Sequence, residues 1–413
     1  MSKAFYTYIS LLLGISFWDL LPLTAFFNPN TIPVMILLWA MFGMYHYRNL
    51  PEAYDQLDFS AYKKYYWWIY AGILLSIVPA YVFWNHDFVS SLIVNRSLII
   101  YIFIPVFFLI KPTDKEIMRA IIFFTITYML VWLVQALLMP LPITVPFLVK
   151  VASGAPFEID PTDFGMLLPG YPLIVLLLYL KLQQFRESST FKTLLPALIV
   201  FFIIFLLQNR GTLFFASAVL MYVLVMMKSN YKPYHLLLYV LVGVGLLYST
   251  FDSWIALIEE TRQQAGDMDY NRWKALSYFM FEFSPNWLCY IFGNGRFSFH
   301  TDAGANTIAL ALDGYDQTDI GIIGFWSVYG LLPIVVIYRI VAAVITRRDF
   351  PFYMKAISFH LLIIPIAWNF ISTDAMMLVL YVYLFAYYSE SNKVLNQPAV
   401  VGNEVSNPEI HPQ

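Results

Sequence analysis

Apolar runs about as long as a bilayer is thick recur along this chain, and no other feature constrains its fold as strongly. A helix needs about 17–25 consecutive apolar residues to cross a hydrocarbon layer roughly 30 Å thick. Runs of that order lie near residues 4–27, 31–47, 66–85, 92–110, 117–138, 163–181, 193–208, 211–227, 234–250, 318–345, 356–371 and 374–389. Lipid offers no partner to backbone N–H and C=O groups, so only helices and closed barrels can cross it. These runs are continuously apolar rather than alternating, which selects helices over barrel strands. The expected fold class is an all-α polytopic membrane protein with about twelve transmembrane helices. Of 413 residues, 60% are hydrophobic and 12% charged, against about 45–50% and 25% in soluble domains. Disordered, collagenous, coiled-coil and disulfide-scaffold classes are excluded. The first run is too long for a signal-peptide core and lacks an A-x-A-like site after it, so a retained first span is expected.

Basic residues orient the bundle. With the N-terminus cytoplasmic, the inner loops hold 17 of the 24 lysines and arginines, among them Lys3, Arg48, Lys111, Arg186, Lys232, Arg347 and Lys393. The short outer loops near 28–30 and 372–373 hold none. The positive-inside rule thus predicts cytoplasmic N- and C-termini and an even span count. Residues 1–390 are expected to form a single transmembrane domain, with residues 391–413 a disordered cytoplasmic tail. Two longer outer loops interrupt it. Residues 139–163 hold Pro140, Pro142, Pro146, Pro156 and Pro161, and proline interrupts helices. Residues 251–317 are the one sizeable polar region, within which 271–292 read as an interfacial helical stretch. A net charge of −2 leaves no electrostatic footprint for nucleic acid. The single Cys289 can form neither an intramolecular disulfide nor a cysteine metal cluster.

A charge at the centre of a spanning helix costs roughly 2.5–3.5 kcal/mol on insertion scales, so such charges mark candidate functional sites. Asp19, Arg96 and Arg210 qualify. Asp19 also reads as a solvated helix end, and Arg96 as an outward-snorkelling anchor. Arg210 lies in Leu207-Gln208-Asn209-Arg210-Gly211-Thr212, between two apolar runs with almost no loop. That turn holds its guanidinium near the membrane plane, and guanidinium is well suited to grip a phosphate bidentately.

The Asn209-Arg210-Gly211 step, followed by Arg272-Trp273, by Gly293-Asn294-Gly295, and by Asp319 eleven residues before Gly330-Leu331-Leu332, resembles the family of WaaL-type O-antigen ligases and Wzy-type polysaccharide polymerases. Family members usually read Ser-Arg-Gly at the first position. Ligases commonly carry His where this chain has Asp319, whereas Thr/Ser-Asp there is similar to many Wzy-type polymerases. Residues 190–345 match in detail, the rest by span count alone. The resemblance implies a bacterial inner-membrane glycosyltransferase acting at the periplasmic face. It implies undecaprenyl-diphosphate-linked oligosaccharides as donor and acceptor, membrane lipids as surroundings, and a chain-length regulator as a further partner. A ligase or a lipid-linked oligosaccharide flippase are the alternatives.

The chemistry suits these residue types. A lipid diphosphate is a good leaving group, so fixed positive charge is what its departure needs. Arg210 and Arg272 are the first choices for that role, with Arg296, Asn209 and Arg96 in support. The acceptor hydroxyl needs a base. Asp319 leads, although it also reads as a helix N-cap, and Asp316 and His300 are its alternatives. Asp302 and Asp313 read as solvated or sugar-bonding, and Trp273, Phe297, Phe299, Tyr315 and Trp326 as sugar-stacking or interfacial. Arginine supplies the charge, and the outer side shows no Asp-x-Asp motif. Neither metal nor cofactor is expected.

Overall fold

A computed structural model describes residues 1–15, 31–48, 57–138, 170–207, 210–226, 271–298, 301–313, 315, 317–363, 370 and 374–396. Among these, every regular element is helical. The first half comprises α1 (Lys3–Gly14), α2 (Thr31–Arg48), α3 (Lys63–Leu75), α4 (Ile77–Trp84), α5 (Phe88–Val94), α6 (Phe103–Ile110), α7 (Asp114–Leu138), α8 (Tyr171–Ser188), α9 (Phe191–Leu206) and α10 (Arg210–Val225). After them come α11 (Asn271–Phe281), α12 (Trp287–Phe292), α13 (Asp302–Leu312), α14 (Gly321–Tyr329), α15 (Leu331–Thr346), α16 (Phe352–Ile363) and α17 (Ala375–Asn396). Two 3-10 stretches matter below, Asn95–Ile102 and Gln317–Ile320. Asp19, the proline-rich loop 139–163, the run 234–250 and the tail beyond Asn396 lie outside the described residues.

Local chemistry sets the helix starts. Ser2 caps α1 by accepting from Phe5 N–H at 3.2 Å. Glu116 Oε2 accepts from Thr113 N–H at 2.8 Å at the head of α7, and Thr190 and Thr193 form a reciprocal capping box at α9. Each device satisfies backbone donors that the first turn leaves open.

Among the described residues two helices are long and apolar enough to cross a membrane, Ser60–Trp84 and Asp114–Val134. The pair Phe88–Val94 and Leu98–Ile110, bent by 69°, makes a third if it is one broken span. Phe191–Leu206, Thr212–Val225, Leu331–Thr346 and Phe352–Ile363 are apolar but shorter. Their outward faces carry large apolar side chains. Trp67, Val78, Tyr81 and Val82 on α3 and α4, and Phe123, Ile126 and Leu130 on α7, are each more than half exposed. A water-soluble fold would cover such a belt.

Inside the belt, α8 and the apolar part of α17 are buried nearly all round, which marks central helices. The first is surrounded by α7, α9, α10 and α16; the second packs on α6, α15 and the 95–102 stretch. One end of the bundle is tied together by hydrogen bonds. Lys3 Nζ donates to Lys111 O at 3.2 Å, Tyr47 OH to Met1 O at 3.1 Å, and Tyr383 OH to Pro112 O at 2.7 Å. At the same end, Arg347 Nη1 reaches Ser389 Oγ at 3.3 Å.

Three runs read as continuous are interrupted. In 66–85 the helix carries on across a local irregularity at Ser76. Pro79 cannot donate to the Leu75 carbonyl, and Ser76 Oγ bonds back to Ile73 O at 2.7 Å, both of which loosen a helix. In 92–110 a 3-10 stretch replaces the α-helix, where Pro105 cannot donate to Tyr101 O. In 318–345 the break is Gly330, at φ 76° and ψ −171°. The interfacial stretch 271–292 is likewise two helices, α11 and α12, separated at Pro285. At the other extreme, α17 runs through residues 391–396, where the tail was expected to begin. Lys393 Nζ pairs with Glu390 Oε1 at 2.5 Å, and Asn392 Nδ2 donates to Asp349 O at 3.2 Å. Those bonds hold the extra turn.

Candidate functional site

The end of the bundle away from Lys3 and Arg347 gathers α4, α5, α11–α14 and the 317–320 turn. A small apolar core ties them together: Ala80 of α4, Ala275 and Phe279 of α11, Phe283, Phe297, Ala303 of α13, and Ile320. Trp84 stacks on Phe283 with ring centroids 5.1 Å apart and lies at the same distance from Phe297. Aromatic pairs of this kind contribute roughly 0.5–1.5 kcal/mol beyond area burial. Helix α11 packs on both α14 and the 317–320 turn. Arg272, in the first turn of α11, and Asp319, in that turn, are thereby carried by elements in direct contact.

The segment Gly293–Ser298 forms the centre of this end. Gly293, at φ 85°, and Gly330 meet backbone to backbone. A Cβ on Gly293 would lie 2.2 Å from Val328 O, and one on Gly330 2.3 Å from Ile291 O. Only glycine fits at either place. Gly295 N–H donates to Val328 O at 2.8 Å. The loop is thus wedged into the break between α14 and α15.

Its polar groups are buried and paired. Asn294, fully buried, accepts from Trp84 Nε1 at 3.0 Å and donates through Nδ2 to Ser284 Oγ at 3.0 Å and Ser327 O at 2.9 Å. Ser327 Oγ accepts from Gln317 Nε2 at 2.6 Å, which links the wedge to the turn holding Asp319. Ser298 N–H donates to His86 Nε2 at 2.7 Å. That bond makes Nε2 an acceptor, so Nδ1 carries the proton and donates to Ser91 Oγ at 2.7 Å. Burial holds the His86 pKa below the usual imidazole value, with the neighbouring Asp87 pulling the other way.

Arg296, half-buried, hydrogen-bonds the Tyr329 hydroxyl, and Tyr329 OH donates to Asn95 Oδ1 at 3.0 Å. Arg96, next along, donates from Nη1 to Ile93 O at 2.9 Å at the end of α5. Its guanidinium therefore has a capping duty in addition to any anion contact. Arg210 heads α10, which packs on α8, α9 and α16 and is tied to α8 by Tyr171 OH and Thr212 Oγ1, 3.0 Å apart. The packing brings the elements that carry Arg272, Arg296 and Asp319 into one region. Asn209, His300 and Asp316 lie outside the described residues.

Other singled-out residues have identifiable surroundings. Asp302 stands in the first turn of α13, behind its N-cap Thr301, and Asp313 is exposed at the end of that helix. Phe297 is buried in the apolar core, Tyr315 packs on Tyr278 with centroids 5.2 Å apart, and Trp326 Nε1 donates to Tyr290 O at 2.8 Å. Trp273 remains 47% exposed, which leaves its ring face open to a sugar or to the headgroup layer. Cys289 is buried and free, with its thiol pushed up by burial, so it is a poor nucleophile. Among the described residues no group of three His, Cys, Asp or Glu could hold a metal ion.

The sequence reading gave no role to His86 or Asn95, and named Asn294 only as a member of a motif. The available signal was Asn85-His86-Asp87, a polar corner between two apolar runs. Comparison with protein-family models, with curated proteins and with solved structures found no match.

Proposed function

We propose that the chain is a metal-independent membrane glycosyltransferase of Wzy type. It joins undecaprenyl-diphosphate-linked oligosaccharide units into a surface polysaccharide at the periplasmic face of a bacterial inner membrane. About twelve spans, with both termini cytoplasmic, fit the positive-inside rule. The convergence of the lysine- and arginine-bearing ends near Lys3, Lys111 and Arg347 supports that sidedness.

One observation carries the reading most: the helix bearing Arg272 packs on the turn bearing Asp319, beside the segment bearing Arg296. A helix, a turn and a loop that carry two arginines and an aspartate side by side suit a displacement at an anomeric carbon. The acceptor hydroxyl oxygen attacks that carbon and gives its proton to the Asp319 carboxylate. The bond from the anomeric carbon to the diphosphate oxygen breaks, and the diphosphate leaves with the electron pair. Arg272 and Arg296 stabilise the negative charge as it grows, and removing such a group typically costs about 10²–10³ in rate. Arg210, at the head of α10, serves this reaction by gripping a phosphate on the lipid-carrier side.

Deleting the gene and resolving the cell's glycans by size tests the proposal. Loss of a polymerase leaves acceptors capped with single repeat units. Long chains stranded on the lipid carrier would mean a ligase, and unpolymerised units facing the cytoplasm a flippase. Arg210→Ala and Asp319→Ala should insert normally yet lose chain extension. A normal ladder from either variant at native expression removes that residue from the mechanism.

A further inference from the structure

We propose that His86 and Asn294 are positioning residues, which clamp the two ends of Gly293–Ser298 and so present Arg296 at one fixed place beside the 317–320 turn. The role assigned to Arg296 rests on the proposed function; the clamp rests on geometry alone. At one end, the Asn294 side chain makes three hydrogen bonds, to Trp84, Ser284 and Ser327, and its own N–H donates to Ser327 O at 2.9 Å. At the other end, Ser298 N–H is held by His86 Nε2.

The His86 end also closes a circuit on Arg296. His86 bonds Ser91 Oγ, and Ser91 O accepts from Asn95 Nδ2 at 3.0 Å. Asn95 Oδ1 accepts from Tyr329 OH, and Tyr329 accepts from Arg296, two residues before Ser298. His86, Ser91 and Tyr329 are no more than 1% exposed, and Asn95 is 8% exposed. Water therefore competes little for these bonds, and a network closed in this way moves as a unit. A long arginine side chain on an unclamped loop would sample many rotamers; here both its backbone and its guanidinium are tethered.

The His86 tether can be opened by a proton. A doubly protonated imidazole has no acceptor for the Ser298 N–H. Asp87, at the same corner, favours the charged ring. The other charged groups on the elements gathered here are Arg296 of the clamped segment, Arg272, Lys274 and Glu282 on or just after α11, Asp302 and Asp313 on or just after α13, and Asp319 of the 317–320 turn.

The test uses the full-length protein in lipid nanodiscs, with amide hydrogen exchange of the 293–298 peptide corrected for intrinsic rate. Kinetics with a lipid-diphosphate oligosaccharide run in parallel. In the parent chain, protection of the Ser298 amide should fall about tenfold between about pH 7.5 and pH 5.5, as imidazole protonates. His86→Ala should lack that protection at both pH values. His86→Gln should keep it at both, because the amide oxygen accepts without titrating. Asn294→Ala should lose protection at residues 294 and 295. His86→Ala and Asn294→Ala should lower kcat about tenfold with KM for the lipid donor within about twofold, and His86→Gln should restore the parental kcat. Exchange that ignores both pH and His86→Gln overturns the clamp, as does Asn294→Ala with unchanged protection. Altered exchange with an unaltered kcat overturns the positioning role. A parent chain that transfers no sugar sinks the proposed function while the exchange arm still decides the clamp.

Discussion

Buried polar side chains at the α4–α5 corner show how much a single residue decides here. Trp84 Nε1 is the partner of Asn294 Oδ1, a group with no access to water. Trp84→Phe keeps the ring and its stacking but leaves that oxygen unpaired, a loss of about 1–3 kcal/mol. Thermal unfolding in detergent should show the variant melting below the parent; an unchanged midpoint would mean that Asn294 finds another donor. The neutral His86 makes stability depend on pH. Its native pKa lies below the unfolded value of 6.5, so between those two values the unfolded state binds more protons than the folded one. Stability therefore falls as pH drops through that window and is untouched above it. His86→Gln should remove this part of the acid sensitivity while leaving the melting temperature near neutral pH close to the parent's. Little of this was legible in the residue string. A histidine between two apolar runs looks the same whether it is solvated or clamped, because its partner Ser298 is 212 residues away.

Among elements, the broken helices matter more than the intact ones. Apolar periodicity located α2, α7, α9 and α10 within a few residues, since each is one uninterrupted run with a cap or a polar step at its end. It could not show that 318–345 would split, because Gly330-Leu331-Leu332-Pro333 also suits a mildly kinked helix. The split follows from tertiary packing: the Gly293 backbone occupies the space that a continuous helix would need. At φ 76° and ψ −171°, Gly330 sits where essentially only glycine is found, and other residues pay of order 1–3 kcal/mol for backbone strain alone. Gly330→Ala should therefore destabilise the fold by more than an ordinary surface substitution and release the 293–298 loop. Limited proteolysis near Arg296 should detect the release, and an uncut loop in a stably folded variant would show that the break does not depend on glycine. The extension of α17 to Asn396 has the same kind of cause. The Asn392–Asp349 contact joins the helix to a loop 43 residues away, which no local pattern reports.

At the scale of the whole molecule, the hydrogen-bonded ends give sidedness a direct test. With the buried Cys289 left in place, single cysteines at Lys3 or Lys393 and at Trp287 or Asp302 should label differently with an impermeant thiol reagent. The second pair should react in intact spheroplasts, the first only after the membrane is opened. Labelling of all four from outside would defeat the proposed topology. The same two-ended organisation explains why the candidate site was only partly readable. Arg272 and Asp319 could be named from motif order and Arg296 as a further cation of the outer loop, but their gathering depends on α11 packing against a turn nearly fifty residues further on. The packing of α10 on α8, α9 and α16 could not be read at all, since sequence spacing says nothing about which helix faces which.

What the sequence determined by itself was the solvent and the element type. Long apolar runs demand lipid or a deep core, and unpaired backbone groups in such surroundings demand helices. Those consequences follow from composition and period, which are local and survive any rearrangement of the bundle. Tertiary structure alone decided where helices break, which polar groups are paired, and which candidate residues share a place. Each of these turns on contacts between distant segments, such as Gly293 with Gly330 and Ser298 with His86, whose steric and hydrogen-bonding complementarity exists only once the helices have packed.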